Sequence, residues 1–240
     1  MDLSVVIPAR NEAENVGPLL KEIGAALRAA GAPASEVVLV DDGSSDGTAA
    51  QAQAAAGAVP RLVVVRHPSP AGQSFATLTG VRAAGGRWIA TLDGDGQNDP
   101  ADIPRLVAAR DAALAGAGGP VGPLLLAGYR KARRDSWLKR ISSRVANGVR
   151  GRLLGDRTPD TGCGLKLFER EAFLALPHFD HMHRFLPALF LRAGGRVVSV
   201  EVGHRPRARG QSHYGLFNRL GVGIVDMFGV MWLMRRGRRA

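Results

Sequence analysis

The sequence predicts an α/β fold: a Rossmann-like, mostly parallel sheet flanked by helices, followed by a C-terminal amphipathic helix. Three observations carry this expectation. Over the first 128 residues, short β-branched runs alternate with Ala-rich helical stretches, the rhythm of a parallel sheet buried on both faces. Acidic turns follow three of those runs, where an open α/β sheet forms its ligand crevice. At 240 residues and 45% hydrophobic, the chain can close one sizeable core, so one main domain over 1–214 and a terminal helix with a basic tail over 215–240 is the simplest division.

The elements follow in order. Apolar runs at 3–7, 37–40, 62–65, 88–92 and 124–127 read as strands of the parallel sheet, and the Ala-rich stretches between them as crossover helices. Pro8 cuts the first run short and no basic stretch precedes it, so the N-terminus reads as a buried strand and not as a signal peptide. Asp46 before Thr48, and Asp99-Pro100 before a helix over 101–114, mark helix starts. After a turn at Gly116-Ala117-Gly118-Gly119-Pro120 and the strand that follows, the rhythm changes. A basic helix over 135–154, a Gly/Thr/Pro loop, a strand at 165–168, a helix over 184–193 and a strand at 196–202 are expected.

The stretch 216–234 is apolar but carries Asn218, Arg219 and Asp226, and it ends in Arg235-Arg236-Gly237-Arg238-Arg239. A charged Asp near the middle of a span costs about 2.5–3.5 kcal/mol, which disfavours a crossing helix. Two readings stay open: a helix lying in the membrane interface with its arginines on anionic headgroups, or a helix that closes the core.

Cys163 is the sole cysteine, so no internal disulfide forms and a reducing compartment is expected. The formal charge of +11 is concentrated after residue 129, a field that attracts nucleic acid, anionic lipid or phosphorylated ligands alike. Aromatics make up only 5% and none interleave with the basic run 130–134. A nucleic-acid partner is therefore not expected, because a stacking platform is missing.

The chemistry gathers in three turns. Asp93-Gly94-Asp95-Gly96-Gln97 follows the fourth strand and offers two carboxylates and an amide; clustered oxygen ligands after a strand hold a hard cation against phosphate. Mg²⁺ or Mn²⁺ suits such a set at Asp93, Asp95 and Gln97, whereas zinc would need Cys and His. Pro8-Ala9-Arg10-Asn11-Glu12 follows the first strand and Asp41-Asp42-Gly43-Ser44 the second. The three turns should converge at the carboxyl edge of the sheet.

Together with Asp160-Thr161-Gly162-Cys163-Gly164 and the basic loop Arg205-Pro206-Arg207-Ala208-Arg209-Gly210-Gln211-Ser212-His213-Tyr214, these motifs cover nearly the whole chain. In their order and content they resemble the family 2 glycosyltransferases of GT-A fold, and within them the polyprenyl-phosphate enzymes of the dolichol-phosphate mannose synthase type. The resemblance implies that Pro8, Ala9, Arg10, Glu12, Asp42, Asp93 and Arg130 bind the nucleotide sugar, with Asp93, Asp95 and Arg207 catalytic. Arg130, Asp160, His183, Arg184, Arg207, Ser212 and His213 are implied at the acceptor and its phosphate. His213 stands where the family commonly has Lys, so a titratable charge replaces a fixed one.

The implied activity is metal-dependent, inverting transfer of a hexose, mannose or glucose, from a GDP-mannose or UDP-glucose class donor to polyprenyl phosphate. The expected location is the cytoplasmic face of the membrane, with a separate transmembrane partner as an option. A different glycan or lipid hydroxyl is the alternative acceptor. A haloacid-dehalogenase-like phosphatase fits less well, since its Asp-x-Asp loop normally follows the first strand of the core. An oxidoreductase fits less again, since no Gly-x-Gly-x-x-Gly follows the first strand.

Overall fold

Seven strands make one sheet in the order β3-β2-β1-β4-β6-β5-β7. They are β1 (Leu3–Ala9), β2 (Glu36–Asp41), β3 (Leu62–Arg66), β4 (Trp88–Thr91), β5 (Leu124–Arg130), β6 (Lys166–Glu169) and β7 (Arg196–Val202). This computed structural model describes residues 1–32, 34–116, 122–130, 151, 153–206 and 216–236. Helices α1 (Ala13–Ala29), α2 (Thr48–Ala54), α3 (Gln73–Ala83), α4 (Ile103–Ala115), α5 (Arg170–Leu174), α6 (Leu186–Arg192) and α7 (Leu216–Arg235) complete the described elements, with short 3₁₀ turns at Ala56–Ala58, Pro100–Asp102 and Met182–Arg184. Of the basic helix expected over 135–154, only 151, 153 and 154 are described, and they are helical.

Successive residues of β1 and β2 point to opposite faces, and both faces are buried. Val5, Ile7, Val37 and Leu39 pack with α1 and α4 on one side, and Val6, Val38 and Val40 pack with α3 and α6 on the other. This is why these strands read as continuous apolar runs. In α1, Val16, Leu19, Leu20, Ile23 and Leu27 recur at helical spacing and are buried. Each fully buried aliphatic side chain contributes about 1.5–3 kcal/mol. Their sum outweighs the roughly 3 kcal/mol that the internal Pro18 costs.

One feature departs from the sequence expectation. The fifth strand does not join the first four directly: β6 lies between β4 and β5 and runs antiparallel to both, with Phe168 opposite Ile89 and Leu125. A strand buried on both faces looks the same locally whichever way it runs. The reversal has a functional consequence, because it brings the turn entering β6 to the same sheet edge as the turn leaving β4.

Helix α7 is packed on one side. Val230 is buried against the second core cluster, Asp226 Oδ2 lies 3.1 Å from His181 Nδ1, and Arg192 Nε donates to the Leu233 carbonyl at 2.9 Å. On other faces Val225, Phe228 and Trp232 are 59–70% exposed. Among the described residues, no helix is long and apolar enough to cross a membrane.

Candidate active site at the carboxyl edge of the sheet

The three acidic turns converge. Asn11, in the left-handed region at φ 56°, donates its backbone N–H to Ser44 Oγ at 3.0 Å and accepts from the Ser45 N–H at 2.9 Å. The Glu12 N–H donates to Thr48 Oγ1 at 2.9 Å. Asp46 accepts from the N–H groups of Ala13 and Thr48 at 3.1 and 2.9 Å, so one carboxylate satisfies orphan donors at the starts of both α1 and α2. Burial opposes its ionisation, but these bonds prevail and hold Asp46 below the usual carboxylate range. The third turn joins where the Leu92 N–H meets the Val6 carbonyl.

Asp42 organises the wall of the site. It is almost fully buried, and its oxygens accept from the N–H groups of Ala71 and Gly72 at 2.8 and 2.9 Å and contact His67 Nδ1 at 2.8 Å. Burial works against the charge, and the contacts with Ala71, His67 and Gly72 outweigh it, leaving the carboxyl more acidic than usual. Gly43 beside it has φ 65°, and an added Cβ would lie 2.6 Å from the Pro70 nitrogen; only glycine fits that crossing. Glu12 is also buried and accepts from Asn15 Nδ2 at 2.5 Å. Ala9 is buried and Arg10 exposed. Of the expected donor pocket, Pro8 alone among residues 8–12 lines the central cavity.

That cavity measures about 480 Å³ and brings together Pro8, Asp93, Gln97, Arg130, His183 and Arg184 from the expected set. Gln73, Thr77 and Lys166 share its wall and were not anticipated. Gln73 Nε2 donates to Asp93 Oδ1 at 2.7 Å. Burial first, and the Asp95 charge second, push the Asp93 carboxyl up to about 6. Gly164 presses its backbone against that carboxylate so closely that a Cβ would overlap it, and the Gly164 carbonyl accepts from Thr91 Oγ1 at 2.7 Å. Asp95 holds the Gln97 N–H at 3.1 Å.

The cationic wall is built differently. Arg130, at the end of β5, meets Asp160 through Nε–Oδ2 at 2.6 Å and Nη2–Oδ1 at 2.9 Å. Asp160 thus lies behind Arg130 and orients it. Lys166 is 4% exposed, and its ammonium donates to the carbonyls of Thr161 and Cys163. His183 Nδ1 lies 2.7 Å from Ser74 Oγ, which also accepts the His183 N–H at 3.2 Å. Burial, then the charges of Lys166, Arg184 and His181, lower the His183 imidazole to about 3.

Arg207, Ser212 and His213 lie outside the described residues. The start of their loop runs beside the Asp93–Gln97 turn: Asn98 bridges to His204, and the Arg205 N–H donates to the Gln97 carbonyl at 3.0 Å. Arg205 pairs with Asp99 at 2.7 Å and Glu22 at 2.6 Å. Asp99 also accepts the Ala101 N–H at 3.0 Å, as the expected helix cap does. A signal for Lys166 was present in the sequence, since a cation interrupts the apolar run Leu165, Leu167, Phe168. Gln73 carried a weaker one, at the end of the Pro/Ser/Gly loop that follows the third strand.

The profile of glycosyl transferase family 2 matches residues 4–176. The chain is 36% identical over 239 residues to a dodecaprenyl-phosphate galacturonate synthase of Rhizobium johnstonii, covering 98% of this chain and 68% of that one. It is also 36% identical over 221 residues to an undecaprenyl-phosphate 4-deoxy-4-formamido-L-arabinose transferase of Edwardsiella ictaluri, at 92% and 65% coverage. The chain therefore spans about two thirds of the length of these curated relatives. Among solved structures, the Mycobacterium tuberculosis glucosyl-3-phosphoglycerate synthase in complex with Mn²⁺, UDP and glucosyl-3-phosphoglycerate matches with TM-score 0.65 at 20% identity, over 97% of this chain and 79% of that one. Mannosyl-3-phosphoglycerate synthase of Rubrobacter xylanophilus matches with TM-score 0.67 at 20% identity, over 99% and 75%. These structural matches show the GT-A fold.

Proposed function

Because the chain belongs to glycosyl transferase family 2, we propose that it transfers a sugar from a nucleotide-sugar donor to a polyprenyl phosphate at a membrane surface, with Mg²⁺ or Mn²⁺ at the donor diphosphate. The observation that carries this reading is one cavity whose wall joins Asp93 and Gln97 to Arg130, Lys166 and Arg184. Such a wall suits a ligand with a metal-bound diphosphate and a second anionic group. Both curated relatives carry a polyprenyl phosphate in their names, which supports that acceptor.

The residues fit a divalent cation. Asp93 is hard to ionise because it is enclosed and faces the Asp95 charge, a penalty that a cation reverses. Asp93, Asp95 and Gln97 would hold it through oxygen, with donor phosphates completing the shell, as Mg²⁺ prefers. When bound, the cation neutralises charge on the departing nucleoside diphosphate. Arg130 has five N–H donors and spends two on Asp160, leaving the rest of its fork for phosphate oxygens. The acceptor phosphate is already ionised near neutral pH and needs no strong general base. Direct displacement with inversion is the proposed reaction type, and an acceptor that attacks without a base is compatible with it.

Membrane attachment is assigned to α7. Val225, Phe228 and Trp232 are exposed, and Arg235 and Arg236 stand at its C-terminal end. An apolar surface beside basic residues suits an anionic lipid interface. A separate transmembrane partner would strengthen the attachment.

The test is incubation with Mg²⁺, vesicles containing undecaprenyl phosphate, and labelled donors. The relatives' names carry galacturonate and 4-deoxy-4-formamido-L-arabinose, so the panel includes uronic-acid and amino-pentose donors beside GDP-mannose and UDP-glucose. Label in the organic phase with one donor supports the reading; none with any donor refutes it.

A further inference from the structure

We propose that the Lys166 ammonium binds a phosphate oxygen of the reacting ligands, an assignment that rests on the phosphate-linked transfer proposed above. Lys166 opens β6 on the same face as Phe168, which packs in the second core cluster. It is 4% exposed and still lines the cavity. An ammonium carries three N–H donors. Two are directed to the carbonyls of Thr161 and Cys163, and no described residue takes the third. Among the described residues, no carboxylate lies within ion-pair distance of it.

A buried ammonium with no carboxylate in contact costs several kcal/mol, even after relaxation. Burial accordingly lowers its pKa, even though the charges of Cys163, Asp93 and Asp160 act on it from beyond contact distance in the opposite direction. An anion in the cavity supplies a negative charge in contact and a third acceptor. His183 offers a neutral N–H in place of a charge, since burial and then the Lys166, Arg184 and His181 charges lower its pKa to about 3. Lys166 is therefore a buried cation at the part of the wall where the neighbouring histidine is uncharged.

The rival role is a clasp that merely ties down the turn at Thr161 and Cys163. Two variants of the full chain separate the roles: Lys166→Met removes charge and donors, and Lys166→Gln keeps amide donors for the turn but removes the charge. Calorimetric titration uses inorganic pyrophosphate with Mn²⁺ and, separately, inorganic phosphate without metal. The expected result is about tenfold or greater loss of affinity for at least one anion in both variants, with a melting temperature in Lys166→Gln equal to or above that of the unaltered protein. Loss confined to pyrophosphate assigns the lysine to the donor diphosphate, and loss confined to phosphate assigns it to the acceptor monoester.

Unchanged affinity for both anions in Lys166→Gln overturns the proposal, as does unaltered protein that binds neither. A Lys166→Gln protein that melts earlier while its folded fraction binds normally leaves only the clasp. These titrations require no sugar transfer. Protein that makes no lipid-linked sugar but loses pyrophosphate affinity in the variants keeps Lys166 as an anion ligand and rejects the acceptor reading alone.

Discussion

The Arg130 guanidinium closes on the Asp160 carboxylate through two bonds of 2.6 and 2.9 Å, with both side chains about nine-tenths buried. Removing one member of a buried pair strands the other charge, at a cost of roughly 3–5 kcal/mol. Asp160→Ala should therefore shift the urea midpoint downward by a corresponding amount. Arg130→Lys should fold but lose the two-pronged contact, raising KM for the nucleotide donor more than it lowers kcat. A variant with unchanged donor KM would remove Arg130 from the phosphate site.

Asp93 sets a pH signature for the metal-free protein. Its carboxyl is raised from 3.8 to about 6, so between those values the folded state binds more protons than the unfolded one. Stability from this group is thus lost as pH rises from about 4 to about 6, by at most about 3 kcal/mol. Asp93→Asn should melt above the unaltered protein at pH 7, with the difference shrinking toward pH 4. Added Mn²⁺ should stabilise only the unaltered protein. Thermal melts across pH, with and without Mn²⁺, decide both points.

Gly164 lies against the Asp93 carboxylate, where a Cβ would overlap it. Gly164→Ala must displace the tip of Asp93 instead of the sheet, because the closest overlaps are with the Asp93 side chain. Transfer should fall by about a hundredfold or more, while the melting temperature drops by only a few degrees. A variant with normal turnover would show that the position of Asp93 is not critical.

Asp42 faces the opposite pH direction. Its carboxyl is held below 3.8 in the folded chain, so its contribution is present above that value and is lost as pH falls through the lowered pKa. Asp42→Asn should cost about 1–3 kcal/mol, because the Ala71 and Gly72 N–H groups lose a charged acceptor. Hydrogen exchange at those two amides should accelerate, and donor KM should rise as the Ala71–Gly72 segment that leads into Gln73 loosens. Unaltered exchange would mean that the loop is held by other contacts.

For α7, serine at Val225, Phe228 and Trp232 together should weaken binding to anionic vesicles by about tenfold or more. Folding should be unaffected, since these side chains are exposed. Sedimentation with vesicles measures the first and circular dichroism the second. Retained vesicle binding would move the attachment elsewhere.

Part of the cavity wall is legible in the sequence. Pro8 sits at the end of β1 and Asp93 and Gln97 in the turn after β4, neighbouring parallel strands, so local pattern and sheet geometry suffice to bring those three together. Arg184 and His183 also reached the cavity as expected, though the environment removes the imidazole charge. Asp42 and Glu12 are expected at the donor's base and ribose, yet neither lines the cavity, and the engagement of their oxygens with Ala71, Gly72 and Asn15 depends on contacts made only in the folded chain.

By itself the sequence determined the alternation of buried strands and helices, the three acidic turns and the excess of basic charge, because periodicity, side-chain chemistry and charge are local properties. Tertiary structure alone decided that β6 runs backward between β4 and β5. The reversal brings Gly164 onto Asp93 and Lys166 into the cavity, contacts between segments about 70 residues apart. Burial and neighbouring charge then set the protonation of Asp93 and His183, and those are sums over surroundings that no short stretch of sequence contains.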